Sequence, residues 1–242
     1  MRGASGGRSR PKSPAERARL PYLPAVKKLL RGIAEFRRGR RADYAETFAR
    51  LALGQDPDAL LIACSDSRVV PNLFASAEPG DLFVVRNVGN LIPPFAAAGA
   101  SSGHSVQAAI EFATQALFVR DVIVCGHSEC AAIRAIEDGH APRNAPHLVA
   151  WLEHGRRVLR LAGAAPAGLS SQDHLSQQNV LLQIQHLRTY PAIEEAETAG
   201  RLRLHAWWFD IRRAEVLDHD RASGRFVPLD EARIDRLLSE RP

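Results

Sequence analysis

The 242-residue sequence lacks any apolar run long enough to cross a membrane. Its longest apolar stretches, at residues 59–64 and 122–125, have the length of β-strands, whereas a spanning helix needs about 20 apolar residues. The N-terminus is basic, but no apolar segment follows it as a secretory leader requires. We therefore expect a soluble, cytoplasmic protein with no membrane partner.

Cysteine is also scarce, with only three residues, Cys64, Cys125 and Cys130. An odd number of cysteines in a chain of this length implies no disulfide framework and fits a reducing compartment. The thiols are therefore candidates for metal binding, reactivity or simple burial. Cys125 ends an apolar run and is predicted to be a buried small side chain.

Negative charge is almost missing from the first 41 residues, which carry 13 Lys or Arg and only two acidic residues. The remainder carries 19 Lys or Arg and 25 Asp or Glu. A basic arm of this kind could meet nucleic acid or an anionic surface. It lacks the zinc-finger or aromatic-interleaved pattern of nucleic-acid-binding segments, so nucleic acid is not the expected partner. We favour an arm that packs on acidic protein, preceded by a disordered tail over residues 1–20, which are rich in Gly, Ser, Arg and Pro.

The spacing of apolar residues predicts the fold class. It predicts two helices between residues 23 and 53, separated near Arg40, and then short buried strands alternating with helices. This alternation favours an α/β fold with a central, mostly parallel sheet covered by helices and an N-terminal helical arm. Strands are predicted at 59–63, 82–85, 121–125, 202–209 and 214–217, and helices at 105–118, 129–136, 147–160 and 171–188.

Metal-binding residue types directly follow two of the predicted strands. Cys64 directly follows the first strand, and His127 and Cys130 follow the third. In parallel sheets, ligands bind just beyond the carboxyl ends of the strands. Thiolate and imidazole are ligands that zinc prefers, and a catalytic zinc keeps three protein ligands and one open position. Close to Cys64, Asp66 could ligate the metal or accept a proton from its water, and Arg68 would keep that carboxylate ionised.

Three segments closely resemble the beta-class carbonic anhydrases in order and spacing. They are Cys-Ser-Asp-Ser-Arg-Val at 64–69, Phe-Val-Val-Arg-Asn-Val at 83–88 and Cys-Gly-His-Ser-Glu-Cys at 125–130. The resemblance covers roughly residues 45–230 and includes Asn179, Tyr190-Pro191 and the aromatic segment 205–211. The dipeptide Val70-Pro71 is similar to the plant-like branch of the family.

The resemblance implies a zinc lyase that hydrates carbon dioxide reversibly to bicarbonate and a proton, by attack of a zinc-bound hydroxide. It implies one zinc per subunit on Cys64, His127 and Cys130, and a homodimer or homotetramer. Asp66 and Arg68 would form the catalytic dyad. In some relatives the aspartate that matches Asp66 is the fourth zinc ligand and closes the site to water. The presence of Gln55 favours the open form, in which water is the fourth ligand. The substrate-binding residues would be Gln55, Phe83, Val88 and Phe112.

Two departures from the family pattern concern the rate more than the reaction. Ala131 stands where the family usually has glycine, and Phe112 stands where the branch has tyrosine, so a phenolic hydroxyl is absent. A carbon disulfide or carbonyl sulfide hydrolase on the same fold, or a non-catalytic protein stabilised by zinc, are the alternatives. The expected organisation is a tail at 1–20, a helical arm at 21–54 and a zinc-binding α/β catalytic domain at 55–242.

Overall fold

The computed structural model describes residues 23–96, 104–142 and 144–239. The predicted tail at 1–20 lies outside these residues. The chain divides into two compact units, Met1–Leu53 and Gly54–Pro242. No helix among the described residues is long and apolar enough to span a bilayer.

The N-terminal unit contains two helices, α1 (Leu23–Arg38) and α2 (Arg41–Leu51). Their separation at Arg40 is where the sequence pattern predicts it. The apolar side chains of α1 recur at helical spacing, as in an amphipathic helix, and they are exposed. These side chains are Val26, Leu29, Leu30, Ile33 and Phe36.

The second unit is built on one six-stranded sheet with the order β2-β1-β3-β4-β5-β6. The strands β1 to β4 are parallel, and β5 and β6 extend the sheet as antiparallel strands. A predominantly parallel sheet between helices confirms the predicted fold class. The strands are β1 (Ala59–Cys64), β2 (Leu82–Asn87), β3 (Asp121–His127), β4 (Arg203–Asp210), β5 (Glu215–Asp220) and β6 (Arg225–Pro228).

Helices cover both faces of this sheet, as the burial of β1 at every position requires. The longest, α8, packs against β3 and β4 and is buried along most of its length. The helices of this unit are α3 (Pro71–Phe74), α4 (His104–Glu111), α5 (Ala131–Asp138), α6 (Pro146–Leu152), α7 (Val158–Leu161), α8 (Ser171–Leu187), α9 (Pro191–Thr198) and α10 (Glu231–Ser239).

Two predicted helices differ from those observed. The helix predicted at 147–160 is interrupted by a 3₁₀ turn at Glu153–Gly155, where Gly155 lies against Ile136 and Leu91 with no room for a side chain. The helix predicted at 105–118 becomes a π-helical turn at Phe112–Ala116. Neither interruption disturbs the apolar spacing, which is why periodicity alone predicts continuous helices.

The strand register brings three loops to one edge of the sheet. Cys64 at the end of β1 lies opposite Asn87 at the end of β2, and Ala63 lies opposite Cys125 on β3. The segments that follow β1, β2 and β3 therefore meet at the carboxyl edge of the sheet, where the sequence motifs are.

Candidate metal centre

Three buried side chains converge at this edge. The ligand atoms of Cys64, His127 and Cys130 all lie within 4.8 Å of one another. Cys64 is the last residue of β1, His127 is the last residue of β3, and Cys130 immediately precedes α5. The predicted trio is thus brought together by two neighbouring strand ends and one helix start.

The turn that joins His127 to Cys130 is held from both sides. The Ser128 N–H donates to the Phe209 carbonyl oxygen (3.0 Å) at the end of β4. The Glu129 N–H donates to Asp173 Oδ1 (2.8 Å) on α8, and Glu129 itself takes a left-handed conformation with φ of 56°. These bonds stabilise a tight turn that places the imidazole and the Cys130 thiol on the same side.

The His127 ring is oriented for metal binding. Its Nδ1 lies 2.8 Å from the Ser128 carbonyl oxygen, which can only accept, so Nδ1 carries the proton. Nε2 is then a lone-pair nitrogen, and it is buried with no hydrogen-bond partner among the described residues. A buried, unpartnered acceptor beside two thiols fits a metal ligand, because buried polar atoms otherwise find partners.

The two thiols lie close together, and their pKa values are shifted in opposite directions. A hydrogen bond with Cys130 lowers the pKa of Cys64, and the Gly89 N–H, 3.4 Å from Cys64 Sγ, adds to this effect. The neighbouring Cys64 sulfur and burial raise the pKa of Cys130, while two backbone N–H groups in the first turn of α5 oppose that increase. Because a metal binds the thiolate form of cysteine, a divalent cation bound here would displace the thiol protons.

Asp66 and Arg68 form a bidentate ion pair next to the trio. Arg68 Nε donates to Asp66 Oδ1 (2.9 Å), and Nη2 donates to Oδ2 (2.7 Å). These hydrogen bonds lower the pKa of Asp66 to about 2, so the carboxylate is ionised at neutral pH. Nη2 also reaches the Glu129 carbonyl oxygen (3.2 Å), which ties the loop after β1 to the turn before Cys130.

Arg86 is a structural residue of the site that the sequence reasoning did not assign. From β2 its guanidinium donates to the carbonyl oxygens of Cys64 (2.9 and 3.1 Å) and Asp66 (2.7 Å). It therefore fixes the backbone of the loop that carries both side chains. Its place in the 83–88 segment was a usable signal, since a charged residue at the carboxyl end of a strand indicates the site edge.

The remaining predicted residues do not all lie near the trio. Val88 directly follows β2 and is exposed at this edge, whereas Gln55 is exposed on the segment before β1. Phe83 pairs with Leu60, four residues before Cys64, and thus lies about 13 Å away along the strand. Phe112 contacts Phe83, with ring centroids 5.8 Å apart.

Ala131 is exposed at the first position of α5. Alanine favours helical conformation and its methyl group lies at the surface. A methyl group at this position is thus accommodated on the exposed side of the helix.

The comparisons with known proteins agree with this geometry. The family model described as carbonic anhydrase matches residues 59–216. The carbonic anhydrase of Pseudomonas aeruginosa is 39% identical over 208 residues, which cover 85% of this chain and 93% of that protein. Beta carbonic anhydrase 1 of Caenorhabditis elegans is 33% identical, and the match covers 89% of this chain and 92% of that protein.

Solved structures give the same family. The beta-carbonic anhydrase CcaA superposes with a TM-score of 0.76 at 38% identity, covering 86% of this chain and 93% of that one. A chain from the structures of two tetrameric beta-carbonic anhydrases of Sordaria macrospora superposes with a TM-score of 0.67 at 27% identity. The match covers 85% of this chain and 96% of that one. The chain therefore belongs to the carbonic anhydrase family, in its beta class.

Proposed function

We propose that this chain is a zinc-dependent carbonic anhydrase, which hydrates carbon dioxide reversibly to bicarbonate and a proton. The observation that carries the proposal is the buried Cys64, His127 and Cys130 trio beside the ionised Asp66–Arg68 pair. Membership of the family supports the reaction, since relatives that the chain covers almost completely bear that name.

The donor set favours zinc, with one ion per subunit. Two thiolates and a neutral imidazole are ligands for zinc, while magnesium and calcium prefer oxygen. Three protein donors leave a fourth tetrahedral position for solvent. When bound, zinc lowers the pKa of a coordinated water and so supplies a hydroxide nucleophile near neutral pH.

Asp66 acts as the hydrogen-bond acceptor for the nucleophile, and Arg68 holds it in place. The bidentate pair keeps the carboxylate ionised and engages both of its oxygens. Its attachment to Arg68 supports the open form, in which Asp66 does not replace water. As the acceptor, Asp66 would orient the nucleophile toward the carbon atom of carbon dioxide. This raises the rate through alignment of the reacting atoms rather than through tighter substrate binding.

Substrate binding is proposed for one polar and three apolar residues. Gln55 would donate to the oxygen that gains negative charge in the transition state, at the metal centre of a second copy, because it precedes β1 whereas Cys64 ends that strand. Val88 lies at the carboxyl edge next to the trio. Phe83 lies on the edge strand β2, about 13 Å from Cys64 along the strand, and Phe112 contacts Phe83. We propose that both line the pocket of a second copy of the chain.

The proposal includes a homo-oligomer in the cytoplasm. The tetrameric relatives from Sordaria macrospora support assembly, and a chain whose apolar α1 side chains are exposed has surface to bury in it. Three free cysteines, two of them metal ligands in this proposal, favour a compartment that keeps thiols reduced.

Stopped-flow measurement of carbon dioxide hydration tests the function. Protein with a measured zinc content near one per subunit is expected to accelerate hydration between pH 7 and 9, and not to hydrolyse carbon disulfide at a comparable rate. Preferential hydrolysis of carbon disulfide would favour the sulfur-analogue hydrolases. If zinc-replete protein acts on neither carbon dioxide nor carbon disulfide, the metal has a structural role only.

A further inference from the structure

One peptide group links the metal centre to a tryptophan outside it. The Gly89 N–H donates to Cys64 Sγ at 3.4 Å. The carbonyl of the same peptide group belongs to Val88, and its oxygen accepts from Trp151 Nε1 at 2.8 Å. The indole, the peptide and the thiol therefore form a continuous chain of hydrogen bonds.

The backbone around this peptide is fixed in one orientation. Gly89 has φ of 83° and ψ of 15°, and a Cβ there would lie 3.0 Å from Ala132 Cβ, so the position requires glycine. The next carbonyl, that of Gly89, accepts from Asn179 Nδ2 (3.2 Å). Asn179 is fully buried and accepts in turn from Gln183 Nε2 (2.9 Å). Two successive carbonyls are thus held, which aims the N–H between them at Cys64.

Trp151 is held firmly enough to act through this chain. It lies in α6, and its ring packs against two clusters of buried side chains, those around Leu60 and around Leu91. The indole is rigid and its N–H can only donate, so the bond to the Val88 oxygen has one direction.

The physical effect of the indole is to make the Gly89 N–H a stronger donor. A hydrogen bond to a peptide oxygen polarises the amide and strengthens donation from its N–H, by roughly 10–30% in condensed phases. Donation to a thiolate is charge-assisted and stabilises the sulfur lone pairs that a metal shares. Groups that bond to metal ligands in this way tune the metal.

We propose that Trp151 is a positioning residue for the metal centre, which acts on the Cys64 thiolate through the Val88–Gly89 peptide. The inference rests on the proposed function, because it assumes that Cys64 is a metal ligand. Trp151 supplies no ligand atom, and besides the hydrogen bond its ring packs against the buried cluster that includes Cys64 and Cys130.

Cobalt substitution tests this inference with a readout other than activity. In the cobalt-loaded protein, Trp151→Phe keeps an aromatic ring for packing and deletes the donor. The sulfur-to-cobalt charge-transfer band is expected to move to longer wavelength, since the sulfur lone pairs lose stabilisation. Zinc affinity, measured by chelator competition at neutral pH, is expected to fall about tenfold, as for other partners of metal ligands. Trp207→Phe, on the β4 strand, is the matched control and should leave both quantities unchanged.

A second variant removes the donor with almost no change of shape. Replacing Trp151 by β-(3-benzothienyl)alanine exchanges the indole N–H for sulfur and should shift the band in the same direction. A band at the wild-type position in this variant overturns the inference even if Trp151→Phe fails to fold. Equal shifts in Trp207→Phe also overturn it. Wild-type protein without a sulfur-to-cobalt band contradicts the proposed function itself, so the two failures are distinguishable.

Discussion

Gly89→Ala is the substitution whose consequence the structure defines most closely. The new methyl group would lie 3.0 Å from Ala132 Cβ and 3.4 Å from Leu91 Cγ, at a backbone φ of 83°. A left-handed conformation costs alanine about 1–2 kcal/mol. Forcing a methyl group into a packed site costs about 1–3 kcal/mol more. The free energy of unfolding should therefore fall by about 2–5 kcal/mol.

Gly139→Ala is the matched control for this substitution. Gly139 also has a positive φ, of 65°, but a Cβ there would meet nothing within 4 Å. It should lose only the conformational part, about 1–2 kcal/mol. The effect of alanine on the unfolded chain is common to both variants and cancels in the comparison.

Urea unfolding followed by circular dichroism measures both variants. A chelator, a reductant and one fixed protein concentration keep metal binding and association from shifting the midpoints differently. Gly89→Ala should be the less stable of the two by about 1–3 kcal/mol, the overpacking part alone. Equal losses in the two variants would refute the close approach of Gly89 to Ala132.

Three further predictions concern single side chains. Asp66→Ala is expected to retain one zinc per subunit by elemental analysis and to lose most hydration activity; a metal-free variant contradicts this role. Cys125→Ala is expected to keep its zinc, since burial raises the pKa of this thiol to about 12 and keeps it protonated, whereas Cys130→Ala is expected to lose it. Burial opposes ionisation of Asp121, but hydrogen bonds from His205 and a neighbouring arginine outweigh it and lower the pKa to about 2. That pKa lies below the usual value of about 3.9, so the stabilisation is present above pH ~4 and is lost as the pH falls toward 2. Asp121→Asn should therefore flatten the decline of the urea midpoint over that range, and an unchanged slope would contradict the assignment.

The sheet and the trio could be predicted because their signals are local. The strand ending in Cys64 is a continuous apolar run, and the strand before His127 is another. Parallel strands bring their carboxyl ends to one edge, so the positions of the two motifs in sequence imply their proximity in space. The pairing of Asp66 with Arg68 is equally local, two residues apart.

The hydrogen bonds that support the site could not be predicted in the same way, although the place of Arg86 at a strand end indicates the site edge. Arg86, Trp151 and Asn179 all donate to backbone carbonyl oxygens, which every residue possesses. Trp151 and its acceptor are 63 residues apart, and Asn179 and its acceptor are 90 apart, so no spacing in the sequence indicates either bond.

Two short elements late in the chain, β6 and α9, are not predicted, for a different reason. The strand β6 has only four residues and the helix α9 only eight, so neither contains enough apolar repeats to establish a period. Both lie outside the carboxyl edge that forms the site. Their omission therefore leaves the functional prediction unaffected.

The central claim is that Cys64, His127 and Cys130 bind a zinc ion and leave one position open. A crystal structure of zinc-loaded protein at neutral pH, with anomalous diffraction at the zinc edge, tests it most directly. The account predicts one zinc peak per subunit, with both sulfurs at about 2.3 Å, His127 Nε2 at about 2.0–2.1 Å and water in the fourth position. Zinc elsewhere, or a fourth position filled by the Cys125 thiolate or by the Asp66 carboxylate, would contradict it.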